Sequence, residues 1–212
     1  MILTPDLLLH AYSIGIFPMA EHRDDPELFW VDPRRRGVFP LDGFHLSRSL
    51  MRRMKKGGYC AVIDQDFDFV VHRCAERAET WINPELTRLY NALNAMGRAH
   101  SFEIRGQDGA LWGAVFGIAL GGAFFGESMV SLRTDGSKIA LAHLGDHLNR
   151  ANFGLFDTQF LTPHLARLGA VEITRASYHQ RLEAALARDG KMLETPVDTD
   201  PYSVIQRITQ TS

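Results

Sequence analysis

Two carboxylates and one amide stand out as groups able to act together. Glu127 lies in Gly121-Gly122-Ala123-Phe124-Phe125-Gly126-Glu127-Ser128-Met129, where an apolar, glycine-rich run delivers an acid to the end of a predicted strand. Further on, Gly154-Leu155-Phe156-Asp157-Thr158-Gln159 reads as a second strand with Asp157 and Gln159 at i and i+2. Side chains two apart on a strand project to the same face. Acids and an amide set among apolar residues describe a small polar site inside a greasy cleft, suited to a charged or hydrogen-bonding reactant. The same acids can equally be structural, bonded to backbone or to nearby arginines.

The surrounding pattern supplies elements to position these groups. Pro5 to Tyr12 reads as a short helix capped by Thr4, and Ser47 caps a predicted helix from Arg48 to Lys56 that Gly57-Gly58 stops. In that second helix Leu46, Leu50 and Met54 make an inward stripe, leaving basic side chains to water or to phosphates. Beyond the diglycine the predicted elements are a strand at Tyr59 to Ile63, helices at Phe67 to Arg77 and Pro84 to Met96, and strands at His100 to Arg105 and Leu111 to Leu120. The Gly122 to Glu127 strand comes next, then a long helix from Gly136 to Leu148 and the Leu155 to Gln159 strand. A short helix at Thr162 to Leu168, a strand at Val171 to Thr174 and a helix at Ala176 to Leu186 complete the set. The division expected is a small basic N-terminal domain (1–57), an α/β (α+β) domain (58–188), and a polar, loosely docked C-terminal tail (189–212).

The chain of 212 residues carries a net charge of −2, yet its charge is segregated. Arg34, Arg35, Arg36, Arg48, Arg52, Arg53, Lys55 and Lys56 face a single acid, Asp42, within one segment. A basic segment on an otherwise acidic chain reads as a docking surface for a polyanion. Cys60 and Cys74 are too few for a disulfide framework and form no CxxC pair. The nine histidines contain no HExxH or ligand-like cluster, so neither metal nor cofactor is expected. His100-Ser101 lacks a GxSxG elbow and reads as structural. No stretch approaches the ~20 apolar residues of a membrane span, and Met1 to Asp6 has no basic region of a secretory signal; the expected location is cytoplasmic.

The ordered motifs resemble the leucyl/phenylalanyl-tRNA–protein transferase family. They are Gly15-Ile16-Phe17-Pro18-Met19, Phe29-Trp30-Val31-Asp32-Pro33-Arg34, Thr80-Trp81-Ile82, Arg98-Ala99-His100-Ser101, the GESM of Glu127, the DTQF of Asp157, and His164 to Ile173. Each is weak alone; the ordered set, spanning Leu3 to Leu186, is strong. The resemblance implies a GNAT-like acyltransferase fold, consistent with the predicted order β-α-α-β-β-β-α-β-α-β, and a monomer. It also implies an enzyme that moves leucine or phenylalanine, and possibly methionine, from aminoacyl-tRNA to the N-terminal amine of proteins beginning with arginine or lysine, marking them for degradation.

Aminolysis of an activated ester needs position, a deprotonated amine and stabilisation of the carbonyl oxygen. In that reaction Gln159 can orient the amine, Asp157 can polarise Gln159 or receive the proton, and Glu127 can act in the acceptor site or bind the acceptor's cationic side chain. Phe124, Val115, Met129 and Phe156 are candidates for the pocket of the transferred side chain; without the resemblance all four read as core. Trp81 is open to two readings, a stack for the terminal adenine or core. Arg34, Arg48, Arg52, Arg53, Lys55 and Lys56 are the expected tRNA contacts. The family commonly has an aromatic after GESM; here Val130 stands there, which bears on pocket shape. The runner-up, acetyl-CoA-dependent N-acetyl transfer, is weakened by Asp135, an acid in the turn that would have to meet a pyrophosphate. A non-catalytic RNA-binding module accounts for the basic segment but leaves the acid–amide trio without purpose.

Overall fold

In the computed structural model, which describes residues 3–77 and 80–210, most helices begin where the sequence offers a capping oxygen. The first half of the chain forms α1 (Pro5–Ser13), β1 (Phe17–Met19), β2 (Phe29–Val31), β3 (Arg35–Phe39), α2 (Arg48–Lys55), β4 (Tyr59–Ile63), α3 (Phe67–Ala75) and α4 (Pro84–Ala95). The second half forms β5 (Ala99–Gly106), β6 (Leu111–Leu120), β7 (Ala123–Ser131), α5 (Gly136–Arg150), β8 (Leu155–Gln159), α6 (Pro163–Ala166), β9 (Val171–Thr174), α7 (Arg175–Leu186) and α8 (Pro201–Gln210). Thr4 and Ser47 accept the amides of Leu7 and Leu50 through their hydroxyls at 3.2 Å, as their positions before α1 and α2 predict.

Seven strands form one mixed sheet in the order β4-β5-β6-β7-β8-β3-β9, and β1 pairs with β2 in a separate two-stranded ribbon. Within the large sheet every pairing is antiparallel except β7 with β8, which run parallel. Period-two alternation sorts the side chains between two cores. Val115, Phe124 and Phe156 face α2, α5 and α8, while Phe116, Phe125 and Leu155 face α1, α3, α4 and α7. A bulge at Phe116/Gly117 interrupts the β6–β7 ladder, and a side chain at Gly117 would collide with the Phe125 carbonyl at 2.2 Å. The parallel ladder between β7 and β8 ends at Phe125–Asp157. Past that pair the two strands no longer pair, and a gap opens in the middle of the sheet.

Two features depart from the sequence reading, the place of β3 and the packing of the tail. Strand β3 lies inside the large sheet, between β8 and β9, although its residues read as part of a basic surface. It takes Arg36 with it into the core at 1% exposure. Helix α2, from the same segment, keeps its expected inward stripe: Leu50 and Met54, with Leu46 just ahead of the cap, are buried in the core that α5 shares. The tail is not loose: Val204, Ile205 and Ile208 of α8 are buried in that core, and Arg207 pairs with Asp146 of α5 at 2.6 Å. A ten-residue helix with only three apolar anchors looked polar overall, but the three fall on one face.

Candidate active site

The gap between β7 and β8 holds a cavity of about 200 Å³. Its apolar wall comes from Val115, Met129, Phe156, Leu141 of α5 and Leu165 of α6; its polar wall comes from Glu127 and Gln159. Trp81 and Arg77 complete the mouth. The volume suits one amino-acid side chain better than a cofactor, whose pockets run to roughly 300–1,000 Å³.

Glu127 is nearly enclosed and takes three hydrogen bonds. Tyr12 Oη donates to its Oε1 at 2.7 Å, Gln159 Nε2 to the same oxygen at 2.9 Å, and Tyr90 Oη to Oε2 at 2.9 Å. Burial raises its carboxyl to about 7, although the Tyr12 and Tyr90 hydroxyls pull the other way; the Asp157 charge adds to the rise and Arg36 opposes it. Burial, and then the Glu127 charge, push both phenols well above their ordinary value, so they stay donors. With its amide nitrogen committed to Glu127, Gln159 has its carbonyl Oε1 left to accept a hydrogen from a guest in the cavity.

Asp157 is sealed behind this pair at 0% exposure and does not line the cavity. Arg36 grips it from Nε to Oδ1 at 2.9 Å and from Nη2 to Oδ2 at 2.6 Å, and Tyr178 Oη donates to Oδ2 at 2.9 Å. The guanidinium itself lies over the rings of Phe17 and Tyr178, at 4.5 and 4.3 Å, and donates to the Gly15 carbonyl at 3.0 Å. Asp157 Oδ1 also accepts the Gln159 N–H at 2.8 Å. That bond holds Gln159 in the left-handed region at φ +58°, a conformation costing a non-glycine residue of order ~1–3 kcal/mol. The chain then turns across β3, where a side chain at Gly37 would meet the Phe160 carbonyl carbon at 2.7 Å. So Asp157 and Gln159 meet through a turn at the strand's end, where regular alternation alone was expected to align them.

The other predicted residues divide. Phe124 does not line the cavity; it packs edge-on behind Phe156 at 5.5 Å between centroids. Val130, the departure from the family pattern, packs on the opposite face against the α1–α4 core and stays away from the cavity. Trp81 lines the cavity and also packs edge-on against Tyr90 at 6.5 Å, so both readings of it have a basis. Arg48, Arg52 and Lys55 are exposed on α2, with half-buried Arg53 beside them and exposed Lys56 as C-cap. Arg34 is exposed at the start of β3, near Asp32 and Arg175, and does not share that helix. An acid does sit with His100 and Ser101: Asp64 takes His100 Nδ1 at 2.6 Å and the Ser101 amide at 2.7 Å. Ser101 Oγ donates instead to Glu103 at 2.7 Å, so no nucleophile–base pair forms. Among the described residues one group, Glu21, His22 and Asp25, could gather around an ion, but it is mainly exposed and Asp25 already accepts the Glu27 amide.

Sequence reasoning missed Tyr12, Tyr90, Arg36 and Tyr178. The signal for the tyrosines was present, since a Tyr on the apolar stripe of a helix needs a buried acceptor for its hydroxyl. For Arg36 there was no local signal, because three consecutive arginines look alike.

Comparison with known proteins follows the same lines. A family model described as leucyl/phenylalanyl-tRNA protein transferase matches residues 38–183, and one described as its N-terminal domain matches residues 1–34. A leucyl/phenylalanyl-tRNA–protein transferase of Ruegeria pomeroyi is 63% identical over 100% of both chains, and one of Roseobacter denitrificans is 59% identical over 100% of both. Among solved structures, FemX is similar with a TM-score of 0.52 over 82% of this chain and 70% of that one, at 11% identity, a likeness of fold alone.

Proposed function

Since the chain belongs to the leucyl/phenylalanyl-tRNA–protein transferase family, we propose a division of labour for its site residues in that family's reaction. The enzyme transfers leucine or phenylalanine from aminoacyl-tRNA to the N-terminus of proteins. The observation that carries the proposal is the 2.9 Å bond from Gln159 Nε2 to Glu127 Oε1 on the wall of an apolar cavity the size of one side chain.

The leucine or phenylalanine side chain occupies the slot of Val115, Met129 and Phe156, with Phe124 supporting Phe156 from behind. Burying it there contributes roughly 1.5–3 kcal/mol. The acceptor's α-amine donates a hydrogen bond to Gln159 Oε1 and attacks the ester carbon. A C–N bond forms, the bond from that carbon to the ribose oxygen breaks, and the one proton the nitrogen loses ends on the departing ribose oxygen, relayed by Glu127. The amine's surplus proton passes to Glu127, whose value of about 7 matches that of an N-terminal amine near 7.7–8.0. Asp157 holds Gln159 in place and takes no proton itself, because Arg36, Tyr178 and the Gln159 amide occupy its oxygens. Trp81, at the mouth, stacks on the terminal adenine, and the α2 cations carry the acceptor stem.

The finer readings belong to the same proposal. The single parallel pair in an otherwise antiparallel sheet, with a cavity where that pair splits, supports a GNAT-like fold. Acceptors begin with arginine or lysine and are marked for degradation. One chain supplies every group named, which supports a monomer, and tRNA as donor supports the cytoplasm; among the described residues no helix is long and apolar enough to cross a membrane. Residues 1–57, 58–188 and 189–212 remain the proposed division, with the first and last contributing to the shared core. Acetyl transfer from acetyl-CoA finds no support: Asp135, bonded to Lys138 at 2.6 Å, stands at the N-terminus of α5 where a pyrophosphate would need to bind.

The test mixes the protein with radiolabelled leucyl-tRNA and peptides differing only in their first residue. Transfer is expected to Arg- and Lys-starting peptides, and Gln159→Ala should lower turnover at least tenfold with leucyl-tRNA affinity nearly unchanged. Full turnover in that variant removes Gln159 from the mechanism.

A further inference from the structure

Away from the acyl cavity, a second concavity of about 700 Å³ opens where the end of α2 meets the start of β6 and the loop leaving β7. Its walls include Arg53, Lys56 and Arg133, and its base is Trp112. The indole is only 6% exposed, and the guanidiniums of Arg53 and Arg133 lie over it at 4.5 and 5.1 Å. One ring therefore holds two like charges close together, with the Lys56 ammonium on the same wall. Among the described residues, no carboxylate pairs with Arg53 or Lys56. Arg133 has the exposed Asp108 at 3.4 Å, and the next acid along, Asp135, is neutralised by Lys138 at 2.6 Å.

Clustered cations repel one another until an anion enters between them. A guanidinium stacked on an aromatic keeps its N–H edges free, in the fork geometry that matches a phosphate. The Trp112 ring is covered by those guanidiniums, so a nucleobase finds no open face there to stack on. What the concavity offers a guest is donors and positive charge, the recognition chemistry of a phosphodiester.

We propose that Arg53 and Arg133, stacked on Trp112 and joined by Lys56, bind a backbone phosphate of the donor tRNA. The inference rests on the reading that the donor is aminoacyl-tRNA. Arg53 and Lys56 belong to α2, on a different side from the exposed row Arg48, Arg52 and Lys55, and Arg133 adds a grip from a second element. Strand β7 links it to the chemistry: Glu127 and Met129 line the acyl cavity, and Arg133 lies just past the same strand's end. A phosphate held at Arg133 therefore sets the RNA body in register with the ester, since phosphate contacts fix orientation and not sequence.

The test measures the affinity of uncharged and leucylated tRNA across salt for the parent, Arg133→Ala, Arg133→Lys and the α2 pair Arg48→Ala with Arg52→Ala. Arg133→Ala is expected to weaken both forms of tRNA alike, by ~3–10-fold at moderate salt, and to lower the salt slope by about one phosphate contact, ~0.7–0.9. Arg133→Lys keeps most of the slope because the charge remains. Unchanged affinity and slope in Arg133→Ala, with the α2 pair losing both, overturns the cluster and leaves the helix grip standing. A loss confined to leucylated tRNA, or an equal loss in Arg133→Lys, also overturns it, because the effect would then lie in the acyl pocket or in packing. A parent that binds no tRNA overturns the underlying reading as well.

Discussion

At the scale of single residues, Glu127 is a group whose titration separates folded from unfolded chain. Its carboxyl moves from 4.5 to about 7 on folding, with burial as the largest cause. Between those values the folded state holds a proton that the unfolded state has released, so stability falls as pH rises through this window and levels off above about 7. Glu127→Gln has no such proton to lose. The parent's unfolding free energy, measured against that variant in urea, should fall by up to ~1.4 kcal/mol per pH unit between about pH 5 and 7. A difference that stays flat across the window would mean that Glu127 titrates as an ordinary carboxyl. Asp157 presents a different case, a buried carboxylate gripped by the buried guanidinium of Arg36. Arg36→Met leaves that charge facing only a phenol and one amide, and should cost about 3–5 kcal/mol in urea unfolding. Removing both charges with Arg36→Met and Asp157→Leu should recover part of the loss; if the double variant is no better than the single, the pair is not what the site depends on.

At the scale of elements, α2 shows how much a short pattern can specify. Leu46, Leu50 and Met54 pointed inward and the Ser47 cap began the helix, so Arg48, Arg52 and Lys55 had only the outer face left. Arg48→Ala with Arg52→Ala should therefore leave the melting temperature almost unchanged, while lowering the slope of log affinity for tRNA against log salt by up to ~1.4–1.8. An unaltered slope would take RNA off this face. The strands that carry Glu127 and Asp157 were legible for the same kind of reason, since their apolar runs are bounded by Gly121-Gly122 and Gly154. Strand β3 was not. Arg34-Arg35-Arg36 gives a charge signal that outweighs the two apolar residues after Gly37, and only long-range pairing with β8 and β9 decides that the third arginine turns inward. The left-handed turn at Gln159 was equally hidden, because glutamine carries no turn signal and the conformation is held by the Asp157 carboxylate and by the space at Gly37.

At the scale of the whole molecule, the C-terminal segment closes the core that α2 and α5 leave open. Met192, Val204, Ile205 and Ile208 are buried in it, and polar bonds fix the path between them. His147 Nε2 lies 2.9 Å from the Met192 carbonyl, Arg150 Nη1 donates to the Pro196 carbonyl at 3.0 Å, and Arg207 Nη2 reaches both Asp146 and Asp198. Helix α8 also meets α2, with Lys55 Nζ 5.8 Å from the Tyr202 ring centroid. A tail merely resting on the surface would tolerate Ile205→Ala within ~0.5 kcal/mol. A tail that completes the core should lose about 2–5 kcal/mol, because the side chain leaves a cavity that the fixed helix cannot fill. Urea unfolding distinguishes the two, and the denaturant slope adds a second reading. If α8 unfolds together with the sheet, the midpoint drops while the slope stays at the parent's value. A shallower slope would mean that the tail had already come away before the rest of the chain unfolds, and α2 would then have lost the α8 face it packs against.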